Sequence, residues 1–168
     1  MNELSLRRWA ADDLDLLRRA NTAEMTAHLN GPETEEQVIA RHERYLRLQE
    51  SGEAWTFAIA GGELSVGWIG CWRADWHGKA VFETGWFVSP EAQGHGVAST
   101  ALALLVDVMR EHSPERHLLT AFPSVTNGPS NAVCRKAGFT HVGTITEIFR
   151  GAELTLNEWV LDLNAQTP

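Results

Sequence analysis

The chain has 168 residues, 43% hydrophobic content and a formal charge of −8. That length suits one ordinary domain, residues 1–168, with a sizeable core, and the composition argues against disorder. The acidic balance argues against a general nucleic-acid binder, and the longest aliphatic run, Ala101–Val106, is far too short to span a membrane.

The first residues alternate, with Leu4, Leu6 and Arg8 on one side and Ser5 and Arg7 on the other, which predicts a strand. Glu3, Arg7, Asp12 and Asp13 interrupt the apolar residues here, unlike a signal peptide, so a cytoplasmic protein is expected. Asp12 or Asp13 can cap a helix carrying Leu14, Leu16, Leu17 and Ala20. Asn21–Pro32 is a break, punctuated by Gly31 and Pro32. Thr34-x-x-Gln37 has the form of a capping box. Val38, Ile39, Tyr45 and Leu46 then mark one face of a second helix, which Ser51-Gly52 ends.

Strands follow. Trp55, Phe57 and Ile59 alternate with small or polar residues, and Gly61-Gly62 reads as a hairpin turn. Leu64–Trp72 is the return strand, with Gly67 and Gly70 as expected bulge positions. Asp75–Lys79 is another turn, and Val81–Val88 a third strand. The short connections predict an antiparallel meander. Trp68, Trp72, Trp76 and Trp86 cluster here, out of seven tryptophans in the chain, and most read as core or sheet-face residues.

Pro90 stops the third strand. Gly94 and Gly96 allow a sharp turn and close backbone approach to a ligand. Val97, Ala101, Leu104, Leu105 and Val108 then recur at helical spacing, to about His112, with Ser113-Pro114 as the stop. A helix opened by glycines presents unpaired N–H groups, and its dipole favours negative charge. The turn therefore reads as an anion site suited to phosphates. Arg116–Pro123 reads as a buried strand, parallel to the one before the helix through a right-handed crossover. Asn127–Asn131 opens a short helix with Pro129 in its first turn, and Gly138 stops it. Phe139–Phe149 and Leu154–Leu163 are two more strands, joined near Arg150-Gly151. The order is β-α-α-β-β-β-α-β-α-β-β, an α+β chain whose mixed sheet has both faces partly covered.

The turn is neither the dinucleotide fingerprint, lacking its third glycine, nor a Walker loop, lacking Gly-Lys-Ser/Thr. Gln93-x-x-Gly96-x-Ala98 after a strand ending at Val88 instead resembles the Gln/Arg-x-x-Gly-x-Gly/Ala signature of the GNAT N-acetyltransferase superfamily. Asn127-x-x-Ser130, followed by Lys136-x-Gly138-Phe139, is similar to a later motif of the same family. Thr22-Ala-Glu-Met25 and Glu83-Thr-Gly-Trp86 look closest to the branch that includes ribosomal-protein N-terminal acetyltransferases.

The resemblance implies a central mixed, mostly antiparallel twisted sheet of about seven strands flanked by about four helices. It also implies acetyl-CoA as cosubstrate. Pantetheine would lie between the strand ending at Val88 and the strand at Leu118–Phe122, pairing with main chain at Phe87 and Val88. The diphosphate would rest on the N–H groups of Gly94, His95, Gly96, Val97, Ala98 and Ser99. Asn127 and Ser130 would flank the thioester. Arg135 or Lys136 would reach a phosphate, or simply favour the helix C-terminus.

The implied reaction is direct attack of an amine on the thioester. Glu83 is the candidate general base, because the family often carries a carboxylate at this point of the strand. It could equally be a strand-face charge or an ion-pair partner. The main-chain N–H near Val88 would stabilise the oxyanion. Ser130 would protonate the leaving thiolate or hold the thioester. The single tyrosine, Tyr45, lies in a different helix from the family's tyrosine acid.

The acceptor would be a small-molecule amine, antibiotic or metabolite, or a protein N-terminus, in a pocket built from Asn21–Pro32, the strands around Trp72 and the turn near Arg150. A homodimer is a family-level expectation. His28, His77, His112, His117 and His141 have no partner at metal spacing, so no metal is expected. Cys71 and Cys134 fit reduced thiols. The serines show no nucleophile elbow, which argues against an acyl-enzyme. The competing reading is a non-catalytic acyl-CoA-binding module or sensor.

Overall fold

A computed structural model of the chain describes residues 3–112 and 115–165. Strand β1 (Leu4–Arg8) leads through a 3-10 turn (Ala11–Asp13) to helices α1 (Leu14–Ala20) and α2 (Glu35–Glu50). Strands β2 (Ala54–Gly61), β3 (Leu64–Trp76) and β4 (Lys79–Val88) form the meander. After a 3-10 turn (Pro90–Ala92) come α3 (Val97–Glu111), β5 (Leu118–Ala121), α4 (Gly128–Lys136), β6 (Thr140–Phe149) and β7 (Ala152–Asp162). The expected stop at Ser113-Pro114 lies outside the described residues.

The strands pair in the order β1-β2-β3-β4-β5-β7-β6. Only β4 and β5 run parallel; the other neighbours are antiparallel. This is the mixed, mostly antiparallel sheet of seven strands with four helices that the resemblance implies, among the described residues. None of those helices is long and apolar enough to cross a membrane.

Alternation along the strands splits the core between two faces. Ala58 and Trp68 point toward α1 and α2, packing with Trp9, Leu16, Leu17, Val38 and Tyr45. Ile59, Ile69 and Phe82 point the other way, against Leu102, Leu105 and Met109 of α3. Each fully buried aliphatic side chain contributes about 1.5–3 kcal/mol, so α3 is held mainly by its apolar stripe.

Local chemistry explains most element ends. Thr34 Oγ1 accepts from the Gln37 N–H at 3.2 Å and Gln37 Oε1 accepts from the Thr34 N–H at 2.9 Å, the expected capping box. The cap expected at Asp12 or Asp13 differs. The helical turn begins earlier, at Ala11, so Asp13 reaches back to accept from the Ala10 N–H at 2.8 Å. Its carboxylate also takes two hydrogen bonds from Arg7, at 3.0 and 2.6 Å.

The first hairpin turn is one residue later than expected. Gly61 pairs with Leu64, leaving Gly62-Glu63 as the loop, with Gly62 at φ +73°. β3 runs on to Trp76, and the turn His77-Gly78 has both φ values positive, as a type I′ turn requires. The bulge is at neither expected glycine. Ile59 pairs with Gly67 and Ala60 with Ser65, so the extra residue is Val66. Gly70 is paired regularly on both sides, and its missing side chain makes room for the Trp68 ring.

The feature that positions the site is a divergence. β4 pairs with β5 only from Phe82–Thr84 against Leu119–Ala121. Beyond that, β4 continues to Val88, whereas the chain after β5 passes Pro123 and bridges through Ser124 to Leu156 of β7. The two parallel strands therefore part, leaving unpaired backbone on facing edges.

Candidate active site

The divergence opens a cavity of about 510 Å³. One wall is β4 from Glu83 to Val88; the other is the β5 exit, Ala121–Ser124, with Asn127, Pro129, Ser130 and Val133 of α4. Gln93 and Ala98 close one end, Trp72 contributes from β3, and Glu24, Met25, His28 and Leu29 cover it from the loop after α1.

The N–H of Ser89 donates to Val66 O at 2.8 Å, toward β3. Strand alternation then turns the N–H groups of Val88 and Trp86 the other way, into the gap. Gly94 and Gly96 sit at φ +75° and +76°, and an added Cβ would meet open space at both. Glycine is required there by backbone conformation, not by crowding. Gly96 is the N-cap of α3, with no side-chain cap. The first intrahelical donor is Thr100, bonded to Gly96 O at 3.0 Å, so the N–H groups of Val97, Ala98 and Ser99 have no helical partner. Unpaired donors at the positive end of a helix dipole make an anion site.

Glu83 stands at the opposite end, half-buried, beside Thr120 of β5 and Trp72 of β3. Burial, and then the negative charge of Glu147 on β6, push its pKa up to about 7, while a hydrogen bond with Trp72 works the other way. A carboxylate held there can gain and lose a proton near neutrality, which is what a general base needs.

A family model described as the acetyltransferase (GNAT) domain matches residues 3–140. The chain belongs to the GNAT acetyltransferase family. Membership makes it an acetyl-CoA-dependent N-acetyltransferase. Among solved structures, RimL, a ribosomal L7/L12 alpha-N-protein acetyltransferase in complex with coenzyme A, is 18% identical, with TM-score 0.79 over 99% of this chain and 97% of that one. Spermidine N-acetyltransferase from Vibrio cholerae, with CoA and spermine, is 18% identical, with TM-score 0.77 over 95% of both chains. The aminoglycoside acetyltransferase AAC(6')-Ib, with coenzyme A, is also 18% identical, with TM-score 0.76 over 95% of both. Such identities show a shared fold. A search of curated protein sequences returns no match.

The expected site residues of this GNAT domain fall into two groups. Glu83, Phe87, Val88, Gln93, Ala98, Asn127 and Ser130 all border the cavity. Gly94, Gly96 and Ser99 lie in the turn and first helical turn beside it, and Val97 is buried in the core beneath. Gln93 braces the turn: its Nε2 donates to Val88 O at 2.9 Å and lies 3.4 Å from Met25 Sδ. Asn127 caps α4, its Oδ1 accepting from the Ser130 N–H at 3.2 Å. His95 borders a separate hollow with Leu4, Val66 and Glu91. Arg135 and Lys136 are at the far end of α4 from the cavity, and the Arg135 guanidinium lies 5.5 Å from the Trp159 ring centre. Arg150 does not border the cavity either; it donates to Gly31 O at 2.6 Å.

Three residues of this GNAT domain escaped the sequence reading. Trp86 lines the cavity. Glu147 shifts Glu83 from a strand not adjacent to β4. Buried Asn131 ties the turn together: Nδ2 donates to Ser124 O (2.9 Å) and Asn127 O (2.8 Å), and Oδ1 accepts from Asn157 and from the Trp159 indole, each at 2.8 Å. Its place within the Asn127–Asn131 motif was the available signal. Among the described residues, no cluster of His, Cys, Asp or Glu could hold a metal ion.

Proposed function

We propose that this chain transfers an acetyl group from acetyl-CoA to a primary amine by direct attack with both substrates bound. The observation that carries the reading is one gap with an anion-binding helix end at one side and a carboxylate titrating near neutrality at the other. The unpaired N–H groups of the turn through Ser99 fit a diphosphate, and the gap-facing backbone of β4 fits an extended amide chain such as pantetheine.

In the reaction the amine nitrogen bonds to the acetyl carbon and the carbon–sulfur bond breaks. A primary amine is mostly protonated at neutral pH, so Glu83, directly or through water, must take a proton from it. The Val88 N–H, fixed by its strand, donates to the developing oxyanion. The departing thiolate is a fair leaving group at neutral pH, so Ser130 need only hold the thioester or hand over a proton. Arg135 and Lys136, placed away from the cavity, have no part in this reading. The acceptor is a small amine or a protein N-terminus.

The test is thiol release from acetyl-CoA with a panel of primary amines and N-terminal peptides, alongside a CoA titration. Release with at least one acceptor supports transfer. CoA binding with no release from any acceptor would favour a sensor.

A further inference from the structure

We propose that residues 21–33 form a fixed roof over the cavity, which restricts the acceptor to a small primary amine and excludes protein N-termini. This rests on the acetyl-transfer reading above and narrows its acceptor.

The segment is an Ω-loop closed at its neck. Asn21 Nδ2 donates to Glu33 O at 2.9 Å, and Asn21 Oδ1 accepts from the Glu33 N–H at 2.8 Å. Inside the loop, Thr22 O accepts from both the N–H and the hydroxyl of Thr26, and Thr26 O accepts from the N–H groups of Leu29 and Gly31. Below the neck, the Glu33 carboxylate lies 2.7 Å from Arg41 of α2 and 3.4 Å from Arg150 of the β6–β7 turn.

The outer end is fastened on three sides. Asn30 Nδ2 donates to Phe149 O at 2.7 Å and to Ala152 O at 3.2 Å, and Arg150 donates to Gly31 O. Met25 Sδ meets Gln93, on the β4 side of the gap. His28 Nδ1 lies 2.9 Å from Thr126 Oγ1, on the β5 side. The loop therefore crosses the parted strands from lip to lip, and its underside, Glu24, Met25, His28 and Leu29, faces the same cavity as Glu83.

A segment with this many internal and flanking hydrogen bonds is pre-organised, unlike a lid that orders on binding. A peptide acceptor needs an open channel for the chain behind its amine, and in this proposal the His28–Thr126 contact, which joins the loop to the β5 side of the gap, closes that channel. Trp72 and Trp86 provide an apolar wall and Glu24 a carboxylate, which suits a compact amine with an apolar body.

Two measurements on the full chain test this. Hydrogen exchange should show slow amides at Thr26, Leu29 and Gly31 in the free protein, little changed by CoA; fast exchange that slows only with CoA would mean a closing lid and overturn the fixed roof. In acetyl-CoA turnover, phenethylamine should exceed a hexapeptide with phenylalanine at its N-terminus by at least tenfold in kcat/KM. The Thr126→Val variant, which removes the latch without replacing a residue that lines the cavity, should narrow that ratio at least threefold. Equal or better use of the peptide by the native chain would overturn the size limit. Failure with every amine would count against acetyl transfer itself, and the exchange pattern would still decide the roof.

Discussion

Replacing Glu83 with Gln separates what this residue does for the reaction from what it does to the fold. Burial and the Glu147 charge raise its pKa from 4.5 to about 7. Between those values the folded chain keeps a proton that the unfolded chain has released. Stability therefore falls as pH rises through this window and levels off above about pH 7. Each tenfold change in proton affinity is about 1.4 kcal/mol, so the ionised form costs the fold at most about 3.5 kcal/mol. Glutamine keeps the shape and removes the charge. Glu83→Gln should gain about 1–3 kcal/mol at pH 8 and little at pH 4, read by urea unfolding at both. Turnover should move the opposite way. A positioned general base contributes about 10²–10⁴-fold, so kcat should drop by that factor while CoA affinity holds. With the amine's own ionisation divided out, native turnover should rise with an inflection near pH 7 that the variant lacks. A variant that kept native kcat and its pH profile would refute the assignment of Glu83 as base.

Three further substitutions probe the frame around the gap. Gly96→Ala places a side chain at φ +76° with nothing nearby to clash, so the loss is conformational, about 1–2 kcal/mol, with weaker CoA binding as the turn deforms; unchanged calorimetric unfolding and CoA titration would contradict this. Gly67→Ala drives a Cβ into the Phe87 carbonyl oxygen and to 3.1 Å from Val88 Cα, which should cost about 1–3 kcal/mol and displace the strand edge that faces the gap. The reading there is again unfolding free energy with CoA affinity, and loss of stability without loss of affinity would separate β4 from the ligand. Asn131→Ala leaves Trp159 and Asn157 short of their acceptor in a buried site, for a loss of about 3 kcal/mol in urea unfolding; a loss under about 1 kcal/mol would mean water replaces the amide.

Signals confined to one element were legible in the sequence. The Thr34–Gln37 box, the glycines at Gly94 and Gly96, the Asn127 cap and the β6–β7 turn at Arg150-Gly151 each depend on residues within a few positions. Errors began where a neighbour decided the outcome. Asp13 sits at the N-cap of α1 but makes no side-chain cap bond there, because Ala10 and Arg7 claim its carboxylate. Val66, not a glycine, takes the bulge because cross-strand register sets it. The site divides in the same way. Glu83 and the turn are visible as residue types after a strand, but the shift on Glu83 comes from Glu147, across the sheet. Asn21–Pro32 reads from its residues as a break, and enters the acceptor pocket only through the family resemblance, because the bonds that dock it reach Thr126, Phe149 and Ala152, far along the chain. Arg135 and Lys136 had the charge a phosphate wants, yet the helix carries them away from the gap.

A crystal structure with acetyl-CoA bound tests the central claim most directly. The account predicts the diphosphate on the N–H groups from Gly94 to Ser99, pantetheine along Phe87 and Val88 between β4 and β5, and the thioester on the Glu83 side of the cavity. A cosubstrate seated elsewhere, or a diphosphate that leaves those amides empty, would contradict it.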